Sequence, residues 1–162
     1  MTTGSPVVVA GGGPGGMVLA YLLGRAGIPV TLLEAHQDFD RDFRGDSLHP
    51  YTLELLDRLG LADRLLALPH HKARFFRFHT PAGSITTADY GKLSSPYNYV
   101  ALMPQARFLD FLAAETAALP SASVRTGAKV VDLNRDDGGR ITGVRYRDDT
   151  GTRDQPAALV VG

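Results

Sequence analysis

Read for the spacing of its apolar positions, the chain opens on a short unbroken strand, Val7 to Ala10, and then changes period. Met17, Ala20 and Leu23, with Val18, Leu19 and Leu22 beside them, recur at helical spacing and predict a helix that is apolar around much of its surface. Gly27 ends that helix, Pro29 leads out of it, and Val30 to Leu33 predicts a second buried strand closed by Glu34. Residues 35 to 50, AHQDFDRDFRGDSLHP, show no period. They are polar, charged and punctuated by Gly45 and Pro50, and read as a loop long enough to carry function. Leu53, Leu56 and Leu59 restore helical spacing, Gly60 stops it, and a second short helix follows.

Beyond residue 72 the helical spacing gives way to β-rich runs. ARFFRFHTPAGSITTADY has β-rich runs on either side of Thr80-Pro81-Ala82-Gly83, with Pro second and Gly fourth, which predicts an antiparallel hairpin. Phe75, Phe76 and Phe78 read as packing within it. A helix begins at about Gln105, with Phe108, Phe111, Leu112 and Leu119 as its core face. Three strands complete the chain: Val124 to Leu133, Arg140 to Tyr146 and Ala157 to Val161. Asp137-Gly138-Gly139 and Asp149-Thr150-Gly151 supply the turns between them. The last run, valine-rich and unbroken, is expected to rejoin a parallel sheet, buried on both faces.

The first crossover carries the chemistry. Gly11, Gly13 and Gly16 form G-x-G-x-x-G between the first strand and the helix. The first glycine permits the tight turn, the second lets a pyrophosphate approach the backbone, and the third allows close helix–strand packing. The helix N-terminus offers unpaired N–H groups and the positive end of its dipole to the phosphates. Glu34 falls about 20 residues on, where a carboxylate accepts hydrogen bonds from ribose hydroxyls and repels a 2′-phosphate. Strand, glycine turn, helix, second strand and terminal carboxylate together predict an adenine-dinucleotide site. The fold class is α/β: a Rossmann-like FAD/NAD(P)-binding domain with a β-meander and a hairpin excursion over residues 72–98.

Composition narrows the partners. Lys plus Arg and Asp plus Glu are 17 each, so the formal net charge is zero and nothing electrostatic argues for nucleic acid or an anionic membrane. There is no cysteine, which removes disulfides, thiolate metal sites and cysteine nucleophiles. Ser47 has no G-x-S-x-G around it, and the adjacent His70 and His71 lack convergent metal-ligand spacing. The sequence therefore offers no catalytic nucleophile and no metal ligand. No apolar run approaches the length of a membrane span, and a cytoplasmic protein is expected.

Three blocks in order, VVVAGGGPGGMVLAYLLGRAG with TLLEA, RDFRGDSLHPYTLELLDRLGL, and LMPQARFLDFL, resemble the N-terminal part of the FAD-dependent aromatic hydroxylases, the para-hydroxybenzoate hydroxylase-like flavoprotein monooxygenases. The resemblance covers nearly the whole chain. It implies that Gly11, Gly13, Pro14, Gly15 and Gly16 form the phosphate-binding turn and that Glu34 binds the ribose of the AMP half of FAD. It implies too that Arg44 reaches back to FAD and that Gln105 contacts the ribityl chain. Read from the residues alone, Arg44 is a solvated partner of Asp42 or Asp46, and Gln105 an ordinary helix N-terminal residue. The hairpin would lie on the substrate-domain side. The implied activity is hydroxylation of a small aromatic substrate with O2 and NADH or NADPH, the flavin supplying the redox chemistry. The implied enzyme also continues beyond Gly162, through an A-D-G element, a substrate domain and a G-D motif, so this portion by itself is expected to be inactive. Two alternatives stay open. One is a non-catalytic flavin- or nucleotide-binding module acting with another chain. The other is an NAD-dependent dehydrogenase domain, against which the lack of a βαβαβ continuation and the FRGD block both count.

Overall fold

The computed structural model describes residues 4–40 and 45–162. In chain order its elements begin β1 (Val7–Ala10), α1 (Pro14–Arg25), β2 (Val30–Leu33), β3 (Ser47–Leu48), α2 (Pro50–Arg58) and α3 (Ala62–Leu66). Then come β4 (His71–Ala73), β5 (Phe75–Thr80), β6 (Gly83–Asp89), β7 (Val100–Leu102) and α4 (Gln105–Ala117). The chain closes with β8 (Ala122–Arg125), β9 (Lys129–Arg135), β10 (Ile141–Asp148), β11 (Gly151–Pro156) and β12 (Leu159–Val161). They fall into two compact units, Met1–Asp40 with Leu109–Gly162, and Arg41–Phe108. No helix among the described residues is long and apolar enough to cross a membrane.

The first unit is built on a four-stranded parallel sheet of order β12-β1-β2-β8. Val8, Val9, Leu32 and Leu33 are almost wholly buried, as two-sided strands inside such a sheet must be. Pro14 opens α1, where the N–H it lacks would have had no helical partner, and Gly27 closes it with a φ of 74°. β9, β10 and β11 form the antiparallel meander. Val8, Leu33, Ala128, Val144, Tyr146 and Ala157 pack as one buried cluster that joins meander to parallel sheet.

Three elements of this unit differ from the sequence pattern. The single strand expected over 124–133 is two: β8 pairs in parallel with β2, whereas β9 belongs to the meander. Gly127, at φ 66°, turns the chain between two sheets that need different directions. β8 thereby provides a third parallel strand after all, delivered by α4 rather than by an immediate second crossover. β11, GTRDQP, has no apolar signal; main-chain pairing with β10 defines it, helped by the Arg145–Asp154 ion pair at 3.2 Å. β12 lies at the edge of the sheet beside β1, so Leu159 is 57% exposed rather than buried on both faces. In α4, Phe108, Leu109, Leu112 and Thr116 are buried and Phe111 is half-buried, while Leu119, expected on the same face, lies beyond the helix end and is half-buried.

In the second unit β7 lies between β3 and β4 in a small antiparallel sheet. β3 is a two-residue strand inside the segment that reads as loop; its pairing depends on β7, which local periodicity does not reveal. Leu53, Tyr99 and Ala101 form the core, with Leu48, Leu66 and Tyr97 packed against it. β5 and β6 make the expected hairpin, bulged between Phe76 and Arg77. Two of its phenylalanines find partners and all three stay open to solvent: Phe75 lies under the Arg77 guanidinium at 4.9 Å, and Phe76 meets Tyr90 edge-on at 6.1 Å.

Candidate functional site

The carboxyl ends of β1 and β2 in the first unit carry the glycine turn. Gly11, at φ 114°, leaves β1 and donates its N–H to the Leu33 carbonyl at 2.8 Å, tying the turn to the end of β2. Gly13 is the N-cap of α1; no side chain caps this end and no acidic residue stands in the first turn. The helix end therefore presents N–H groups and its positive dipole with no side chain capping them.

The glycines divide into two kinds. A Cβ on Gly16 would run into the Gly11 carbonyl oxygen and come within 3.3 Å of Val9 Cγ1, so Gly16 serves close packing of α1 on β1. A Cβ on Gly13 or Gly15 would meet no protein atom within 4 Å. Those two border open space at the helix end, the cradle that a phosphate needs.

Glu34 follows β2 and is 3% exposed. Its N–H donates to the Arg125 carbonyl at 2.8 Å, and its own carbonyl accepts the Ala128 N–H at 2.7 Å. Main-chain bonds thus pin it between β8 and β9, and its carboxylate is anchored as well. Oε2 accepts the Gly12 N–H at 2.6 Å, and Oε1 accepts the His36 N–H at 2.8 Å and pairs with His36 Nδ1 at 2.7 Å. A buried carboxylate held by donors on both oxygens is the arrangement that makes burial of such a group tolerable. Beside it opens a cleft of about 300 Å³, lined by Ala10, Gly11, Leu33, Glu34, Ala35, Lys129 and Val130.

Gly12 and His36 were not singled out by the spacing of the motif. Gly12 occupies a variable position of G-x-G-x-x-G, yet a Cβ there would sit 3.0 Å from Glu34 Oε2 and 3.1 Å from Phe39 Cε1. The signal was present as the unbroken Gly11-Gly12-Gly13 run. Nothing in the sequence marks His36 as more than a loop residue.

In the second unit the remaining motif blocks meet. Gln105 opens α4, and its N–H donates to Asp46 Oδ1 at 3.1 Å; the Met103 N–H donates to the Asp46 carbonyl at 3.0 Å. Pairing of Ser47 with Leu102 and Leu48 with Ala101 brings GDSLHP alongside LMPQ. Gly45, at φ 79°, lies so that a Cβ would be 3.4 Å from Gln105 Nε2. Asp46 caps a helix from 59 residues away, a role no local pattern reveals. Arg44 lies outside the described residues.

The donor set suits an adenine dinucleotide: an uncapped helix N-terminus with open glycines for pyrophosphate, and a held carboxylate beside a cleft for ribose and base. Comparison with known proteins agrees. The model of the FAD binding domain family matches residues 4–162. The chain is 37% identical over 138 residues to 6-methylpretetramide 4-monooxygenase of Streptomyces rimosus, covering 85% of this chain and 33% of that protein. It is 32% identical over 139 residues to para-nitrophenol 4-monooxygenase of Pseudomonas sp. strain WBC-3, covering 85% and 34%. The crystal structure of p-nitrophenol 4-monooxygenase from Pseudomonas putida DLL-E4 superimposes with a TM-score of 0.82 at 28% identity, over 99% of this chain and 40% of that one. The chain thus spans about a third of the length of these curated relatives. With the match running through βαβ unit, excursion and meander alike, the chain belongs to the FAD binding domain family.

Proposed function

We propose that this chain is the FAD-binding part of a flavin-dependent monooxygenase that hydroxylates an aromatic substrate with O2 and NADH or NADPH. The observation that carries the cofactor reading is the Glu34 carboxylate, held by Gly12 and His36 beside the uncapped N-terminus of α1. In this reading the open backbone at Gly13 and Gly15 and the first N–H groups of α1 receive the pyrophosphate. Pro14 starts the helix without removing a donor the phosphates need, and Gly16 keeps α1 close to β1. Glu34 accepts the ribose hydroxyls of the AMP half, and the cleft beside it takes the adenosine end. Gln105 and Arg44 contact the cofactor nearer its flavin, as the family resemblance implies.

Bound FAD supplies the chemistry that no side chain of this chain can: two-electron reduction by a nicotinamide and activation of dioxygen. The chain's own residues bind, orient and shield it. Glu34 also disfavours a 2′-phosphate at this site, which supports a nicotinamide that visits elsewhere as co-substrate over a resident NADP. The relatives named para-nitrophenol 4-monooxygenase and 6-methylpretetramide 4-monooxygenase support an aromatic substrate. The rest of the same enzyme would shape the substrate pocket, and the cytoplasm, where reduced nicotinamide is regenerated, is the proposed compartment.

The test is a visible absorption spectrum of the protein purified without added cofactor, followed by identification of the released molecule. Flavin bands with FAD released support the reading. Release of NAD, or failure to take up added FAD, overturns it in favour of a dehydrogenase-type or non-flavin module.

A further inference from the structure

His36 makes two contacts to one oxygen of Glu34, through its main-chain N–H at 2.8 Å and its ring Nδ1 at 2.7 Å. Its main chain is itself held, because its carbonyl accepts the Gly127 N–H at 2.8 Å from the turn between β8 and β9. The residue is thus placed by the meander and not by the loop that follows it. A carboxylate accepts but cannot donate, so Nδ1 carries the proton in this pair and the bond is charge-assisted. The imidazole is 61% exposed while the Glu34 side chain is 4% exposed, so the ring can be altered with little disturbance of the core.

The terminal torsion of a glutamate is soft and broad, and a single anchored oxygen leaves it free to rock. Here the two oxygens are anchored by different elements: Oε2 by Gly12 in the glycine turn, Oε1 by His36 beyond β2. The Gly12 and His36 main-chain N–H groups hold one oxygen each, and the His36 ring adds a second, charge-assisted bond to Oε1 that stiffens this orientation.

We propose that His36 is a positioning residue for the cofactor: its ring holds the Glu34 carboxylate in the orientation that receives the adenosine ribose. The proposal rests on the FAD reading above and assigns His36 no direct contact with FAD. The ring favours binding by having the carboxylate oriented before the ribose arrives.

The experiment is titration of the flavin-free protein with FAD, read by quenching of flavin fluorescence, for the wild type, His36→Ala, His36→Asn, His36→Gln, Glu34→Gln and the double variant His36→Ala/Glu34→Gln. His36→Ala is expected to weaken FAD binding by about three- to tenfold, the scale of one partly exposed charge-assisted hydrogen bond. His36→Asn, whose amide N–H can stand where Nδ1–H stood, restores most of the loss; His36→Gln, which places its amide further out, does not. On the Glu34→Gln background, where the charge of the acceptor is gone, His36→Ala causes a much smaller further loss, because the ring acts only through that carboxylate. Thermal unfolding of the FAD-free His36 variants changes little, the ring being 61% exposed. Wild-type affinity in His36→Ala overturns the proposal, and so does a full additional loss in the double variant. Should His36→Ala fail to fold, equal affinities of the Asn and Gln variants overturn it instead. A wild-type protein that binds no FAD defeats the cofactor reading itself and this proposal with it; the outcomes are told apart by the wild-type titration.

Discussion

Gly12 donates its N–H to Oε2 of Glu34 at 2.6 Å, across 22 residues of sequence and between the two loops that flank the expected cofactor site. The bond links the glycine turn after β1 to the carboxylate after β2. Neither element alone would define where the negative charge stands relative to the helix N-terminus. The link places the carboxylate and the α1 dipole side by side while leaving Gly13 and Gly15 open.

Gly12→Ala is therefore expected to harm both fold and binding. Its Cβ would press on Glu34 Oε2, on Glu34 Cβ and on Phe39 Cε1, all at 3.0–3.1 Å. Overpacking of this kind costs about 1–3 kcal/mol. A urea-unfolding midpoint lowered accordingly, with FAD affinity reduced at least tenfold (about 1.4 kcal/mol), is the expected result. Wild-type values for both would mean that the turn yields freely and that the bond to Glu34 is not a constraint.

Gly13→Ala separates the same two quantities. Apart from its own chain neighbours, no protein atom lies within 4 Å of the added methyl, and Gly13 has an ordinary extended conformation at φ −69° and ψ 175°. Stability of the FAD-free protein should change by less than about 1 kcal/mol, the range of N-cap substitutions involving glycine. FAD affinity should fall sharply, since the methyl enters the space where a pyrophosphate approaches the backbone. Calorimetry on the FAD-free protein and FAD titration, run side by side, check the split. Unchanged affinity would place the phosphates elsewhere.

Legibility of the sequence followed the range of the interaction. β1, β2 and the start of α1 are set by local apolar spacing and by glycine and proline, and they stand where that pattern puts them. β3, β7 and β11 are defined by partners far along the chain or by main-chain pairing of polar residues, which periodicity does not register. The split of 124–133 into β8 and β9 had a visible mark in Gly127, but its meaning depends on two sheets that no single window contains. At the site, Gly11, Gly13, Gly16 and Glu34 are marked by spacing. Gly12, His36 and Asp46 are marked by what they touch, and those contacts exist only in the folded chain.

Asp46 supplies a further test within the second unit. Its Oδ1 accepts the Gln105 N–H at the start of α4, the role usually taken by the residue just before a helix. Asp46→Ala leaves that donor without its partner and removes a negative charge from the helix N-terminus. A loss of about 1 kcal/mol in unfolding free energy is expected, in line with removal of other N-caps. Asp46→Asn keeps an acceptor oxygen and should recover at least half of it. If Ala and Asn variants unfold alike in urea, the hydrogen bond is not what stabilises this helix end.

Tyr97 gives the second unit a signature at high pH. Its hydroxyl pKa is raised from 10.0 to about 12, chiefly by burial and then by a hydrogen bond to Asp57, with the charge of Asp63 adding to it. Because the folded state holds this proton more tightly than the unfolded one, the contribution to stability is complete below about pH 10. It is lost as pH rises through about 12. Tyrosinate absorbance should accordingly show one component that ionises late, and Tyr97→Phe should remove that component and no other. The stability difference between wild type and Tyr97→Phe should be constant below pH 10 and shrink between pH 10 and 12. A wild-type titration lacking the late component would mean that the Tyr97 hydroxyl is solvated and that its bond to Asp57 does not persist in solution.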